Sequence, residues 1–196
     1  MNRRREIIRR AAEIFLQKGV GQTSMEDIAQ AVGIKREGLY YYFESRNDIL
    51  LEIILPQSDS LLLNLQRIMS SRMTALEKLH AAIQSHLHAF YPAYLEMSVA
   101  LREHHFIRDA TKLKQLRRIW DDYSSLWTAL IIEGQAAGEF KPDMDAKMVA
   151  FAILGMCNWF CRWYNPEKEL PIDHIIDIYF NLASSGLTTN TLPEVV

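Results

Sequence analysis

Residues 24–43 read SMEDIAQAVGIKREGLYYYF. Ser24 with Asp27 three residues on, or Thr23 with Glu26, forms a capping box that opens a short helix. Met25, Ile28, Ala29 and Val32 then return at helical spacing as its buried face. Gly33 supplies a tight turn, because without a Cβ it adopts backbone angles closed to other residues. A third short helix is expected from about Lys35 to Tyr41. A helix of seven or eight residues, a glycine turn and another short helix is helix-turn-helix spacing. Ala29 is small where the two helices must cross. The second helix is then free to enter a major groove with its first residues, Lys35 and Arg36, against base edges. Two cations at a helix N-terminus oppose its dipole by a few tenths to about 1 kcal/mol. Their presence is explained if phosphates or guanine edges lie in front of them. Tyr40 and Tyr41 offer hydroxyls to phosphate and flat rings to thymine methyls, while Tyr42 and Phe43 anchor the helix to the core.

Working outward, Ile8, Ala12, Phe15 and Leu16 fall on one face of a preceding helix that Gly19 and Gly21 stop. Ser45 with Asp48 caps a fourth helix carrying Ile49, Leu50, Ile53 and Ile54. Pro56 interrupts or kinks that helix, because proline has no amide to bond back one turn. Further helices are expected at roughly 58–70, 75–90, 92–103, 108–137, 145–163 and 172–186, punctuated by Gly138, Pro142, Pro166 and Pro171. No segment alternates as a strand does. The expected fold is all-α with about nine helices. A three-helix helix-turn-helix domain fills 1–46, a larger helical bundle 47–187, and a flexible tail 188–196.

Charge supports this division. Residues 1–48 carry nine basic and seven acidic side chains, a balance of +2, and the remainder carries −4. A basic front on an acidic body suits a nucleic-acid reader attached to something else. Two cysteines, Cys157 and Cys161, are too few for a disulfide framework. One turn apart, they read as buried thiols, with a thiol switch or half a metal site as the alternative. His86/His88 and His104/His105 lack the spacing of a helical metal site and read as surface or pocket-rim residues. No signal peptide and no membrane span are expected, so the protein reads as cytoplasmic. Without a glycine-rich phosphate loop or a nucleophile–base signature, neither an enzyme nor a bound cofactor or metal is expected.

The first 50 residues resemble the TetR family of bacterial repressors. The resemblance rests on Ile8, Ala11, Ala12, Phe15, Gly19, Thr23, Ile28, Ala29, Ala31, Gly33, Gly38, Leu39, Tyr40, Tyr42, Phe43 and the stretch Arg46–Leu50. It implies a homodimer whose N-terminal domains bind a palindromic double-stranded DNA operator and whose larger domain binds an inducer. It also places Thr23, Lys35, Arg36, Gly38, Tyr40, Tyr41 and Arg46 at the DNA-contacting positions. The family often opens the recognition helix with Ser or Thr, where this chain has Lys35.

In the larger half, residues 145–163 are apolar nearly all round in their first three turns, so the helix needs burial on two sides. With the 108–137 helix it is expected to form a four-helix interface with a second copy. Aromatic and methionine side chains suggest an adaptable apolar pocket: Phe90, Tyr94, Met97, Leu101, Trp120, Tyr123, Trp127, Met156, Trp159 and Trp163. Arg162 sits within the aromatic stripe and suits a ligand carbonyl, carboxylate or phosphate. The stretch GMCNWFCRWYNPEKELPIDHIIDIYFNLASSGL resembles the C-terminal helices of TetR-type regulators of lipid and steroid breakdown. That resemblance implies an acyl-CoA effector, its phosphate-rich part near Arg102, Arg108, Lys112 and Arg162. Pro56 is the expected hinge through which the effector releases DNA. The alternatives left open are a repressor of an efflux gene answering to drugs or aromatic compounds, and a small-molecule or redox-binding helical protein that no longer reads DNA.

Overall fold

The computed structural model describes residues 3–89, 110–164 and 170–189. Among them run α1 (Arg3–Lys18), α2 (Met25–Val32), α3 (Arg36–Tyr40), α4 (Arg46–Met69), α5 (Ala75–His88), α6 (Ala110–Ala136), α7 (Ala146–Trp163) and α8 (Ile172–Leu187). A 3-10 turn occupies Val20–Gln22. The helix expected over 92–103 lies outside the described residues.

Backbone contacts divide the chain into two compact units. The first holds residues up to Ser60 together with the start of α6 to Ile119, and the second holds Leu61–His88 and everything from Trp120. This division by backbone contacts falls inside α4 and α6.

In the first unit α1 packs on α2, and α2 on α3. Ser24 and Asp27 form the capping box: the Asp27 amide donates to the Ser24 hydroxyl at 3.1 Å, and the Ser24 amide to the Asp27 carboxylate at 2.8 Å. Gly33 ends α2 at φ 71°. Its amide donates to the Gln30 carbonyl, and that of Ile34 to the Ala29 carbonyl. This is the glycine-closed helix end that satisfies the last free carbonyls. The buried side chains of α1 are Ile7, Ala11, Ala12 and Phe15. Ala12 and Phe15 are thus buried as expected, whereas Ile7 and Ala11 are buried in place of Ile8 and Leu16, which are half-exposed. Helix α4 begins at the predicted Ser45–Asp48 cap and runs unbroken through Pro56 to Met69. Of the two expected effects of Pro56, the interruption is therefore absent, and the proline is carried within the helix.

In the second unit α5 packs on α7 and α8. Gly138, at φ 75°, closes α6 in the same way as Gly33 closes α2: its amide donates to Gln135, and that of Glu139 to Gly134. This turn aims the Glu139 carboxylate at the start of α5, where it accepts from the Ala75 and Leu76 amides at 3.1 and 2.9 Å. Thr74 and Glu77 form a capping box around the same helix start. Capping by a charged side chain contributes about 1–2 kcal/mol. Glu139→Ala is expected to lower stability by about that amount, read as a lower urea midpoint at unchanged slope.

The tail was expected to be free from Thr188. Instead Thr188 forms an isolated antiparallel bridge with Phe140, and Thr189 donates its amide to the Glu139 carbonyl and its hydroxyl to the Gly138 carbonyl. The turn after α6 has backbone groups facing outward that these two residues satisfy. Residues 190–196 lie outside the described residues.

Candidate functional site

Leu39 is the buried side chain of α3. Lys35 holds extended backbone at the N-cap without a side-chain cap bond, and Lys35, Arg36, Glu37, Gly38, Tyr40 and Tyr41 are exposed. Tyr41 is 85% exposed, an arrangement that leaves apolar surface in water unless something covers it. Arg36 lies along the helix: its guanidinium donates to the Tyr40 hydroxyl at 3.0 Å and sits 5.5 Å from the Tyr40 ring centroid. That hydrogen bond raises the Arg36 pKa, so the group stays a cation. A Cβ on Gly38 would meet only the Ile34 Cβ at 3.9 Å, so no packing within the chain demands glycine there. Tyr42 is half-buried and Phe43 is buried, as anchors should be.

Two residues expected at the DNA, Thr23 and Arg46, are hydrogen-bonded to backbone carbonyls of the chain. Thr23 is 1% exposed, and its hydroxyl donates to the Gly19 carbonyl at 2.9 Å. The hydroxyl proton thereby closes the turn before α2. Arg46 turns its Nη1 onto the carbonyls of Thr23 and Gly21, at 2.7 and 3.2 Å, tying the start of α4 to the entry of α2. An open pocket of about 290 Å³ lies between these helix starts, lined by Thr23, Ser24, Met25, Ser45, Arg46 and Asn47. Helix N-termini favour anions, and Thr23 and Arg46, both expected at the DNA, line this pocket. Asp27 is already committed: Lys18 and Ser24 hold its carboxyl well below the usual range.

In the second unit the predicted pocket residues separate. Tyr123 and Trp127 are buried, and Trp120 packs edge-on to Tyr123 with centroids 5.9 Å apart. Met156 is half-buried. Trp159 is 64% and Trp163 42% exposed, and Arg162 is exposed with its guanidinium 5.7 Å from the Trp159 ring. These three thus lie on the outer face of α7, away from the interior group. Because α7 is apolar on most sides, its periodicity did not distinguish inside from outside; Cys157 and Phe160 take the buried positions. Phe90, Tyr94, Met97 and Leu101 lie outside the described residues, as do Arg102, Arg108, His104, His105 and the side chains of Lys112 and Cys161. Cys157 is a buried thiol pushed up to about 12 by burial, which makes it unreactive.

His86, expected near the surface, is fully buried. Its Nδ1 lies 2.8 Å from the Tyr123 hydroxyl. It belongs to the apolar stripe Leu79, Ala82, Ile83, His86, Leu87, a signal that helical spacing did contain. Burial lowers its pKa from 6.5 to about 4, although a hydrogen bond donated by the ring to Asn158 acts the other way. The unfolded chain takes up this proton near pH 6.5 and the folded chain only near 4. Stability is therefore full above the unfolded value and is lost as pH falls through that window. The thermal midpoint of the wild type is expected to fall more between about pH 7 and about pH 4.5 than that of His86→Gln; equal falls refute the assignment.

Helix α7 also exposes Met148 and Phe151, and α8 exposes Ile178 and Leu182. Helix α6, the expected partner of α7, presents Ile132 beside a groove that includes Asp121, Ser124, Ser125, Thr128 and Lys147. Exposed large apolar side chains are thus more numerous on α7 and α8 than on α6. Among the described residues no helix is long and apolar enough to cross a membrane, and no group of three or more His, Cys, Asp or Glu is placed to hold a metal ion.

Residues 7–53 match the family profile of bacterial regulatory proteins of the tetR family, and residues 72–187 that of the tetracyclin repressor-like C-terminal domain. The transcriptional repressor KstR2 of Mycolicibacterium smegmatis is 26% identical over 188 residues, covering 95% of this chain and 91% of that protein. The structure of the ketosteroid transcriptional regulator KstR2 of Mycobacterium tuberculosis superposes with a TM-score of 0.90 at 24% identity, covering 97% of each chain. The crystal structure of AibR in complex with isovaleryl coenzyme A and operator DNA superposes with a TM-score of 0.80 at 22% identity, covering 92% of this chain and 97% of that one. With a helix-turn-helix at its front and matching profiles over both halves, this chain belongs to the TetR family of DNA-binding transcriptional regulators.

Proposed function

We propose that the chain is a cytoplasmic, homodimeric repressor that binds a palindromic operator and is released by a small apolar effector, an acyl-CoA thioester of lipid or steroid breakdown. Residues 1–46 read DNA, 47–187 sense the effector and pair with a second copy, and 188–196 form the tail. The observation that carries the DNA-reading part is α3 itself: one buried leucine, with Lys35, Arg36, Tyr40 and Tyr41 exposed. The pocket between the starts of α2 and α4 suits a backbone phosphate.

A second copy is the occupant proposed for the apolar stripe on α7 and α8, since two recognition helices must stand about 34–36 Å apart to read successive major-groove faces. The effector proposal draws on AibR, whose structure contains isovaleryl coenzyme A, and on the ketosteroid regulator KstR2. An effector releases DNA only by binding two arrangements of the protein unequally, and Pro56 is the hinge proposed for that change.

The test has two parts. The chain is first used to select duplexes from a random pool, with palindromic enrichment expected. A thermal-shift panel then compares acyl-CoA thioesters with lipophilic cations. Stabilisation by a thioester that also dissociates the selected duplex supports the reading. Stabilisation by the cations alone replaces it with a drug-responsive repressor, and a failure to enrich any duplex removes the DNA-reading function.

A further inference from the structure

We infer that Arg4 is a positioning residue for the recognition helix, clamping the chain just past α3 to Glu52 at the turn of α4 that Pro56 weakens. The inference rests on the DNA-reading function proposed above.

Three parts of the first unit meet at one guanidinium. Arg4 donates from Nη2 to Glu52 Oε1 at 2.8 Å and from Nε to Oε2 at 3.4 Å, a two-pronged grip on one carboxylate. Its Nη1 donates to the Tyr42 carbonyl at 2.9 Å, two residues after α3 ends. The guanidinium carbon stands 4.3 Å from the centroid of the Phe43 ring. A planar, permanently charged group with several fixed donors holds its partners at set angles, which a flexible ammonium does not. Glu52 raises the Arg4 pKa, so the clamp stays charged.

The place of the grip matters. Pro56 has no amide to donate to the Glu52 carbonyl four residues back, so α4 lacks a rung at the residue that Arg4 holds. The opposite face of α4 is fixed by buried Ile49, Leu50, Ile53 and Ile54. On the clamp side an open groove of about 500 Å³ is lined by Arg4, Tyr42, Phe43, Glu52, Pro56 and Gln115, among others. There the hydrogen bonds of Arg4 add to the packing of buried Phe43 and Leu51 in setting the spacing between the end of α3 and α4. A bend at Pro56 that moves Glu52 therefore pulls on the backbone that carries Tyr40 and Tyr41.

Both partners are about two-fifths exposed, 40% and 43%. Exposed pairs add little to stability, so variants of the clamp fold. Base reading, however, requires side chains held to within about half an ångström, and there the clamp has its effect.

The experiment uses the full-length chain and a duplex it selects from a random pool. Glu52→Gln removes a negative charge from the DNA-binding unit, so charge alone predicts tighter binding. The clamp predicts the reverse, a loss of about three- to tenfold. Arg4→Lys is expected to lose a similar factor with the salt dependence unchanged, because the cation remains. Arg4→Met combined with Glu52→Gln is expected to bind no worse than Arg4→Met alone. Unchanged or tighter binding by Glu52→Gln overturns the inference while leaving the DNA-reading function intact. If the wild type selects no duplex, that function and the clamp fall together.

Discussion

Replacing Lys35 and Arg36 together with alanine is expected to weaken operator binding by roughly a hundredfold or more while leaving the thermal midpoint nearly unchanged. The two halves of this expectation have separate causes. Both side chains are exposed, and neither caps a helix nor fills the core, so surface truncation should change stability by less than about 0.5 kcal/mol. A bidentate contact to a base edge is worth about 1–3 kcal/mol, or roughly tenfold to a hundredfold per residue. The single variants separate the two kinds of contact. A residue on a phosphate reduces the slope of affinity against salt by about one counterion and weakens all sequences alike. A residue on a base relaxes discrimination at one position and leaves the slope nearly unchanged. Tyr40→Phe, which removes the hydroxyl that accepts from Arg36, is a useful companion variant. Operator affinity unchanged in the double variant would reject α3 as the reading element.

Gly134→Ala is expected to destabilise the second unit by roughly 2–3 kcal/mol, opposite in sign to what helix propensity predicts. Alanine is favoured over glycine inside a helix by about 1 kcal/mol, and Gly134 lies within α6. A Cβ at this position, however, would land against the Phe140 ring, contacting its Cδ2, Cε2 and Cγ. Phe140 is fully buried, and its amide and that of Glu139 both donate to the Gly134 carbonyl. The ring therefore has no free direction in which to retreat. Overfilling a packed core costs about 1–3 kcal/mol or more. Displacing Phe140 also shifts Glu139 off the start of α5. Gly186 is the control: nothing lies within 4 Å of a Cβ built there, so Gly186→Ala should be neutral or slightly stabilising. Urea midpoints of the two variants measure the contrast directly. Equal shifts in both would show that the ring moves aside freely.

The helix-turn-helix was legible in the sequence because its signals are local. The Ser24–Asp27 box closes over three residues, and Gly33 ends α2 through bonds reaching back only to Gln30 and Ala29. Spacing of that kind survives without knowledge of the rest of the chain. The same holds for the family resemblance, which rests on this contiguous front. The site was legible in part. Lys35, Arg36, Tyr40 and Tyr41 are exposed as their position implied, whereas Thr23 and Arg46 turn inward onto the Gly19, Gly21 and Thr23 carbonyls. Polar side chains near a turn serve a ligand or their own backbone equally well, and only the path of that backbone decides between the two.

What tertiary structure alone decided depends on groups distant in sequence or on helices without a polar side. Ile7 and Ile8 are equally apolar, and the packing of α1 on α2 selects Ile7. Helix α7 is apolar on several faces, so the burial of Cys157 and Phe160 and the exposure of Trp159 and Trp163 follow from which neighbours arrive. Glu139 caps a helix that begins 64 residues earlier in the chain. Local spacing specifies which elements form, because each turn's hydrogen bonds close within a few residues. The assignment of each side chain to core, cap or surface waits on long-range packing, because burial belongs to the assembled helices and not to any one of them.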